Sequence, residues 1–211
     1  VDRSVHPIVA LRVLGLPAGS VTGVASLRRA LAADDRLAGM DFRQSWSAAT
    51  PFRRLKVKLK NEIIAFGVPG VDPAHDPAPA LEPTTLKSWL DEGRELILLD
   101  TRNAFELAHG SFAGAVHLGN DTFRGFAAVA GTLRVNNSET PVVTFCTGGI
   151  RCEKAAPLLR QLGHRKVFQL SGGILRYLER VGSAHYRGTC FVFDERVGLD
   201  SDLAPQRAEQ L

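Results

Sequence analysis

The chain has 211 residues, 45% of them hydrophobic and 23% charged, an ordinary balance for a globular protein with a real core. A mean hydropathy of −0.02 and the lack of any apolar run near the ~20 residues that cross a bilayer exclude a helical membrane protein. Three cysteines exclude a disulfide scaffold and a four-cysteine zinc site, and 26 Lys and Arg against 22 Asp and Glu permit a polyanionic partner without demanding one.

The chain opens at Val1 without a charged–apolar–small pattern, so no secretion signal is expected, and sparse cysteines suit a reducing cytoplasm. In chain order, Ile8 to Leu14 reads as a strand, Leu16 to Gly23 as a loop, and Ala25 to Ala33 as a helix capped by Ser26. Arg54 to Lys60 alternates strictly, with Leu55, Val57 and Leu59 on one face and Arg54, Lys56, Lys58 and Lys60 on the other. That is a half-buried antiparallel strand with a basic outer face. Strand, helix and strand make half of a small α+β sandwich over residues 1–66, and the further strands such a fold wants are expected before Val1. Residues 67–83 carry five prolines and no sustained period, the mark of a linker.

From residue 84 to 198, strands and helices alternate. Thr84–Asp91 is expected to be helical. Glu95–Leu99, Ala115–His117, Pro141–Phe145 and Lys166–Leu170 read as strands, and Ile150–Leu162 and Ile174–Val181 as helices, the first kinked at Pro157. Apolar strands separated by helices predict an α/β fold with a parallel sheet flanked by helices, which binds its ligand beyond the carboxyl ends of the strands. Residues 199–211 read as a tail.

The third of those strands ends at Phe145-Cys146, followed by Thr147-Gly148-Gly149-Ile150-Arg151 and a helix. A cysteine under a helix N-terminus lies where backbone N–H groups favour an anion. Gly148 and Gly149 permit positive φ, so that the loop curls into a nest, and Arg151 adds a full charge. Cys146 is therefore expected to be a low-pKa nucleophile, with Arg151 beside it in a catalytic role. Four residues between Cys146 and Arg151 make a cradle tighter than cysteine phosphatases need for a phosphate, which argues against phosphatase chemistry.

Asp100-Thr101-Arg102, Glu106, Gly110, Gly114-Ala115 and the run Cys146 to Arg151 together resemble the signature of a rhodanese-type domain, with Ser111 where such domains usually carry histidine. Leu99-Asp100-Thr101-Arg102-Asn103, Thr122-Phe123-Arg124, Cys146 through Lys154, Gly172-Gly173-Ile174 and Cys190 through Arg196 narrow the resemblance to the rhodanese-domain tRNA uridine hydroxylases. Pro51-Phe52-Arg53-Arg54 and Lys56 through Lys60 extend it into the N-terminal segment. The resemblance implies a rhodanese-like sheet preceded by a small ferredoxin- or acylphosphatase-like α+β domain, and a cytoplasmic enzyme that installs a 5-hydroxyl on the wobble uridine of tRNA. It further implies molecular oxygen as co-substrate, no bound cofactor, and the loop cysteine as catalytic residue.

Several residues keep two readings open. Cys152, one turn into the helix, either resolves an oxidised or persulfidated Cys146 or packs in the core. Arg102 either orients substrate at the rim or pairs with Glu106. Asp100 is expected to anchor backbone N–H groups of a neighbouring loop, Arg124 to line the pocket, and Cys190 to be core. The basic face of Arg54, Lys56, Lys58 and Lys60 is a candidate phosphate track for tRNA. Six histidines, His109 and His117 the nearest pair, lack metal-ligand spacing, so no metal is expected. The rival activities are sulfur transfer through a Cys146 persulfide and a non-catalytic RNA- or protein-binding module; oligomeric state stays open.

Overall fold

The computed structural model describes residues 20–37, 62, 64–194 and 196–205 and divides the chain into two compact units, Val1–Ile63 and Ile64–Leu211. The strands read at 8–14 and 54–60, with the basic face of Arg54, Lys56, Lys58 and Lys60, lie outside the described residues. In the first unit, α1 (Val21–Ala32) starts earlier than its pattern indicates. Ser20, not Ser26, is the cap: its Oγ accepts the Gly23 N–H at 3.1 Å. That bond offsets the low helix propensity of Gly23. Ser26 instead accepts from Arg29 Nη2 at 3.0 Å.

The second unit runs β1 (Ala80–Leu81), α2 (Pro83–Asp91), β2 (Ile97–Asp100), α3 (Ala104–Leu107), β3 (Gly110–Phe112), α4 (Phe123–Val129) and β4 (Val142–Phe145). It continues through α5 (Cys152–Gln161), β5 (Val167–Leu170), α6 (Gly173–Val181), β6 (Tyr186–Gly188), β7 (Cys190–Phe191) and β8 (Gly198–Leu199). A four-stranded parallel sheet has the order β1-β5-β4-β2. Successive residues of a strand point to opposite faces. Leu99, Val142 and Val167 accordingly pack with Phe123, Phe126, Ala155 and Leu159 beneath α4 and α5. Leu98, Val143, Phe145 and Leu170 pack with Leu86, Ile174 and Tyr177 beneath α2 and α6. Both faces are covered, and for that reason these strands read as largely apolar runs, broken only by Thr144 in β4, Gln169 in β5 and the terminal Asp100 of β2.

Three expectations need correction. Residues 67–83 are not a free linker: Ala78 and Leu81 are buried, β1 pairs with β5, and Pro83 opens α2 at a position where its missing N–H is not needed. Ala115–His117 forms no strand of its own; Val116 makes a single parallel bridge to Leu99 at the sheet edge. The stretch read as a tail begins inside the fold, with Leu199 buried in β8 and bridged to Pro205. Two antiparallel ribbons, β3 with β6 and β7 with β8, lie beyond the alternation of strand and helix. Pro157 sits fully within α5, which runs through it as one helix.

Candidate active site

Cys146 follows the last residue of β4, at the carboxyl edge of the sheet. The register that sets Asp100 opposite Phe145 brings the end of β2 alongside it. Thr101 closes the seam: its N–H and its hydroxyl both donate to the Phe145 carbonyl at 3.0 Å, and its Oγ1 lies 3.7 Å from Cys152 Sγ. After Cys146 the chain curls back over the sulfur. Gly149 N–H donates to Cys146 Sγ at 3.1 Å, and the curl needs positive φ at Gly149 (+91°) but not at Gly148. Thr147 and Ile150 carry the turn on to Arg151, which is the N-cap of α5, so the sulfur lies under that helix's positive end.

A second helix braces the loop from behind. At the N-terminus of α6, Ile174 N–H donates to the Cys146 carbonyl at 2.9 Å and Leu175 N–H to the Thr147 carbonyl at 3.1 Å. The approach requires Gly173, at φ +65°, because a Cβ there would stand 2.3 Å from the Cys146 oxygen. Gly173→Ala is therefore expected to cost more than the ~1–3 kcal/mol of a strained φ alone, lowering both the thermal midpoint and the Cys146 alkylation rate. Gly131→Ala, where a Cβ meets nothing within 4 Å, serves as control in the same denaturation experiment.

Arg151 does not extend freely toward a substrate. Its guanidinium forks onto Glu106, Nη1 to Oε1 at 2.5 Å and Nη2 to Oε2 at 2.9 Å, with both side chains buried. Glu106 also accepts the Asn103 N–H at 3.0 Å and the Thr147 hydroxyl at 3.4 Å. This overturns the pairing of Arg102 with Glu106. Arg102 is 0% exposed, so it cannot reach the rim; it pairs instead with Asp100, Nη2 to Oδ2 at 2.6 Å, and donates to the Gly110 carbonyl at 2.6 Å. Asp100 holds the backbone N–H of Arg102 in its own turn and a side chain of β3, rather than the backbone of a neighbouring loop. It takes the Arg102 N–H at 3.1 Å and the Ser111 hydroxyl at 2.9 Å. Arg124 is exposed in the first turn of α4. His117 Nε2 donates to the Arg102 carbonyl at 2.9 Å while its Nδ1 accepts from Gly119, and His109 packs on Phe191. Among the described residues no group of three or more His, Cys, Asp and Glu is placed to hold a metal ion.

The three cysteines differ in charge state for physical reasons. Burial alone would raise the Cys146 thiol. The Cys152 thiol, the Arg151 charge and the N–H groups of Arg151 and Cys152 outweigh that burial and bring it down to about 6. Burial and then the adjacent Cys146 sulfur push Cys152 well above the ordinary thiol range, against the pull of the Thr101 and Thr144 hydroxyls. The proton the pair retains therefore stays on Cys152, which donates while Cys146 accepts. Burial raises Cys190 to about 12. Cys146 is 2% exposed and the other two are 0% exposed, so a small reagent meets the reactive sulfur first. Iodoacetamide at pH 6.5 is expected to label Cys146 alone, at a rate that climbs as pH rises through about 6 and levels off by about pH 8. Peptide mapping by mass spectrometry checks this; equal labelling of all three would contradict the cradle.

Cys146 thus lies at the carboxyl edge of a parallel sheet, its sulfur under the Gly149 N–H and beside an arginine locked to Glu106. Residues 82–180 match the family model of the rhodanese-like domain, and residues 15–63 match that of the UPF0176 acylphosphatase like domain. A rhodanese-like domain from Anabaena sp, solved in solution, aligns with 22% identity and a TM-score of 0.44 over 52% of this chain and 79% of that one. A protein of Variovorax paradoxus (strain S110) named tRNA uridine(34) hydroxylase is 50% identical over 204 residues, 94% of this chain and 76% of that one. One of the same name from Thiobacillus denitrificans (strain ATCC 25259 / T1) is 47% identical over 193 residues, 89% of this chain and 78% of that one. With half of its residues shared across nearly its whole length, this chain belongs to the tRNA uridine(34) hydroxylase family.

Proposed function

We propose that this protein hydroxylates carbon 5 of uridine 34, the wobble position of tRNA, in the cytoplasm, with Cys146 as the catalytic residue and dioxygen as co-substrate. The observation that carries the reading is the 50% identity, over 94% of this chain, to a relative named for that reaction. The cradle supports it chemically. With its pKa near 6, Cys146 is a thiolate at neutral pH and can add to C6 of the uracil, moving the ring's electron pair toward C5 and O4. The enolate then attacks dioxygen at C5. One oxygen atom remains as the hydroxyl and the other leaves as water, taking two electrons and two protons from a thiol-class reductant. Loss of the C5 proton expels Cys146 from C6 and restores the ring. Arg151, tied to Glu106, acts as a fixed charge beside the sulfur rather than as a hand on the substrate. The basic face of Arg54, Lys56, Lys58 and Lys60 is proposed to track the tRNA backbone.

Incubation of the protein with unmodified tRNA, air and a dithiol, followed by nucleoside mass spectrometry, is expected to yield 5-hydroxyuridine at position 34. The rival sulfurtransferase would instead release thiocyanate from thiosulfate and cyanide while leaving uridine 34 unchanged, and that outcome would overturn the proposal.

A further inference from the structure

Among the described residues, the large apolar side chains left exposed include two aromatics, Phe193 at 62% and Phe105 at 51%, and both flank the Arg151–Glu106 pair that follows the Cys146 loop. Phe105 precedes Glu106 on α3, and Glu106 holds Arg151. Phe193 lies in the hairpin between β7 and β8, with its ring centroid 5.7 Å from the Arg151 guanidinium carbon. The two rings are perpendicular, 6.3 Å apart, and Phe191 fills the corner at 5.2 Å from Phe105 and 5.0 Å from Phe193. Phe191 also closes back on the catalytic loop, its carbonyl accepting the Thr147 hydroxyl at 3.4 Å. The hairpin is held in shape: Val192 N–H donates to Val197 O at 2.8 Å, and Arg196 forks onto Asp194 at 2.9 and 2.5 Å. Val197 takes a φ of +59°, a strained choice for a β-branched residue.

A soluble protein leaves contiguous aromatic faces open mainly where something covers them. Here the rings border Arg151, whose charge acts on Cys146, a residue only 2% exposed, so the covering group arrives with the substrate. For that sulfur to reach C6, a uridine in an anticodon loop must leave its stack, and its neighbours lose a stacking face when it does. An aromatic ring replaces that face without regard to sequence, and the Arg151 guanidinium over the Phe193 ring holds it in place by cation–π attraction.

We propose that Phe193 and Phe105 form a stacking wall that takes the unstacked base next to the target uridine. This rests on the hydroxylase reading, and its test separates the two. The probe is an anticodon stem-loop RNA with uridine 34, bound to the full chain and followed by fluorescence anisotropy, with Cys146 alkylation at pH 6.5 as a readout that needs no RNA. Phe193→Ala is expected to raise Kd about tenfold, Phe105→Ala to do likewise, and Phe193→Trp to hold wild-type affinity, all with unchanged alkylation. Phe193→Leu, which keeps apolar bulk but loses the ring, should weaken binding nearly as much as alanine. Wild-type affinity in Phe193→Ala, or full rescue by leucine, would overturn the wall alone. So would a parallel loss of alkylation, which would make the ring a support of the cradle. If the wild type binds no stem-loop and makes no 5-hydroxyuridine, the hydroxylase reading falls and the wall with it.

Discussion

Cys146→Ser should reduce 5-hydroxyuridine formation by at least about 1,000-fold at every pH, because a serine hydroxyl in the same cradle stays protonated and is a poor nucleophile. The fold should survive, since oxygen is close to sulfur in size and can accept the same Gly149 N–H. Stability carries a further signature. The Cys146 pKa is depressed in the folded state, to about 6 from an ordinary value near 9. A depressed acid stabilises the fold fully above its unfolded pKa and loses that contribution as pH falls through the folded pKa. At pH 5 both proteins carry a neutral group, and their unfolding free energies should agree within about 1 kcal/mol. As pH climbs from about 6 toward 9, the wild type should draw ahead. Urea denaturation at pH 5, 7 and 8.5 measures the gap; a gap that shrinks with rising pH would contradict the thiolate.

Glu106→Ala should be the most destabilising single change in the site, by about 3–5 kcal/mol, because it leaves the Arg151 guanidinium buried and without its carboxylate. For a unit of this size that corresponds to a fall of about 6–20 °C in thermal midpoint. The Asn103 N–H loses its acceptor in the same step. Removing both charges together, as Glu106→Leu with Arg151→Met, should recover much of the stability, since an apolar pair of similar volume avoids the desolvation of both ions. It should not recover activity, because the cation beside Cys146 is gone. Arg151→Lys should fold but work poorly, as an ammonium cannot make the two-point fork. If Glu106→Ala unfolds within 1 kcal/mol of wild type, the pair is not the brace its geometry indicates.

The strand, loop and helix around Cys146 were legible because each link in them is local. An apolar run ends in cysteine, two glycines allow the curl, and the arginine caps the next helix within six residues. Asp100, Thr101 and Arg102 were legible as a motif but not in their partnerships. Arg151 and Glu106 are 45 positions apart, and only the register of β2 against β4 brings them together, so Arg102 looked like the nearer partner. Thr101 and Gly173 were missed as bracing residues, although two glycines before a helix were a visible signal. The prolines of 67–83 hid β1, because two residues are too few to show a period and their partners in β5 lie 89 positions further along the chain. The exposure of Phe105 and Phe193 had no sequence signal at all. Aromatics in short hairpins and one-turn helices look like core until the fold shows which way they face.

The most direct test of Cys146 as a covalent catalyst on uridine 34 is hydrogen exchange at C5 in the absence of oxygen. Addition of the thiolate to C6 makes C5 basic, and without dioxygen the enolate can only take a proton from solvent before the sulfur leaves. Anaerobic incubation of tRNA with the protein in D2O, followed by nucleoside mass spectrometry, should therefore place deuterium on C5 of uridine 34 with the wild type and none with Cys146→Ser. An enzyme that hydroxylates uridine 34 in air yet leaves its C5 hydrogen unexchanged would contradict attack by Cys146 at C6.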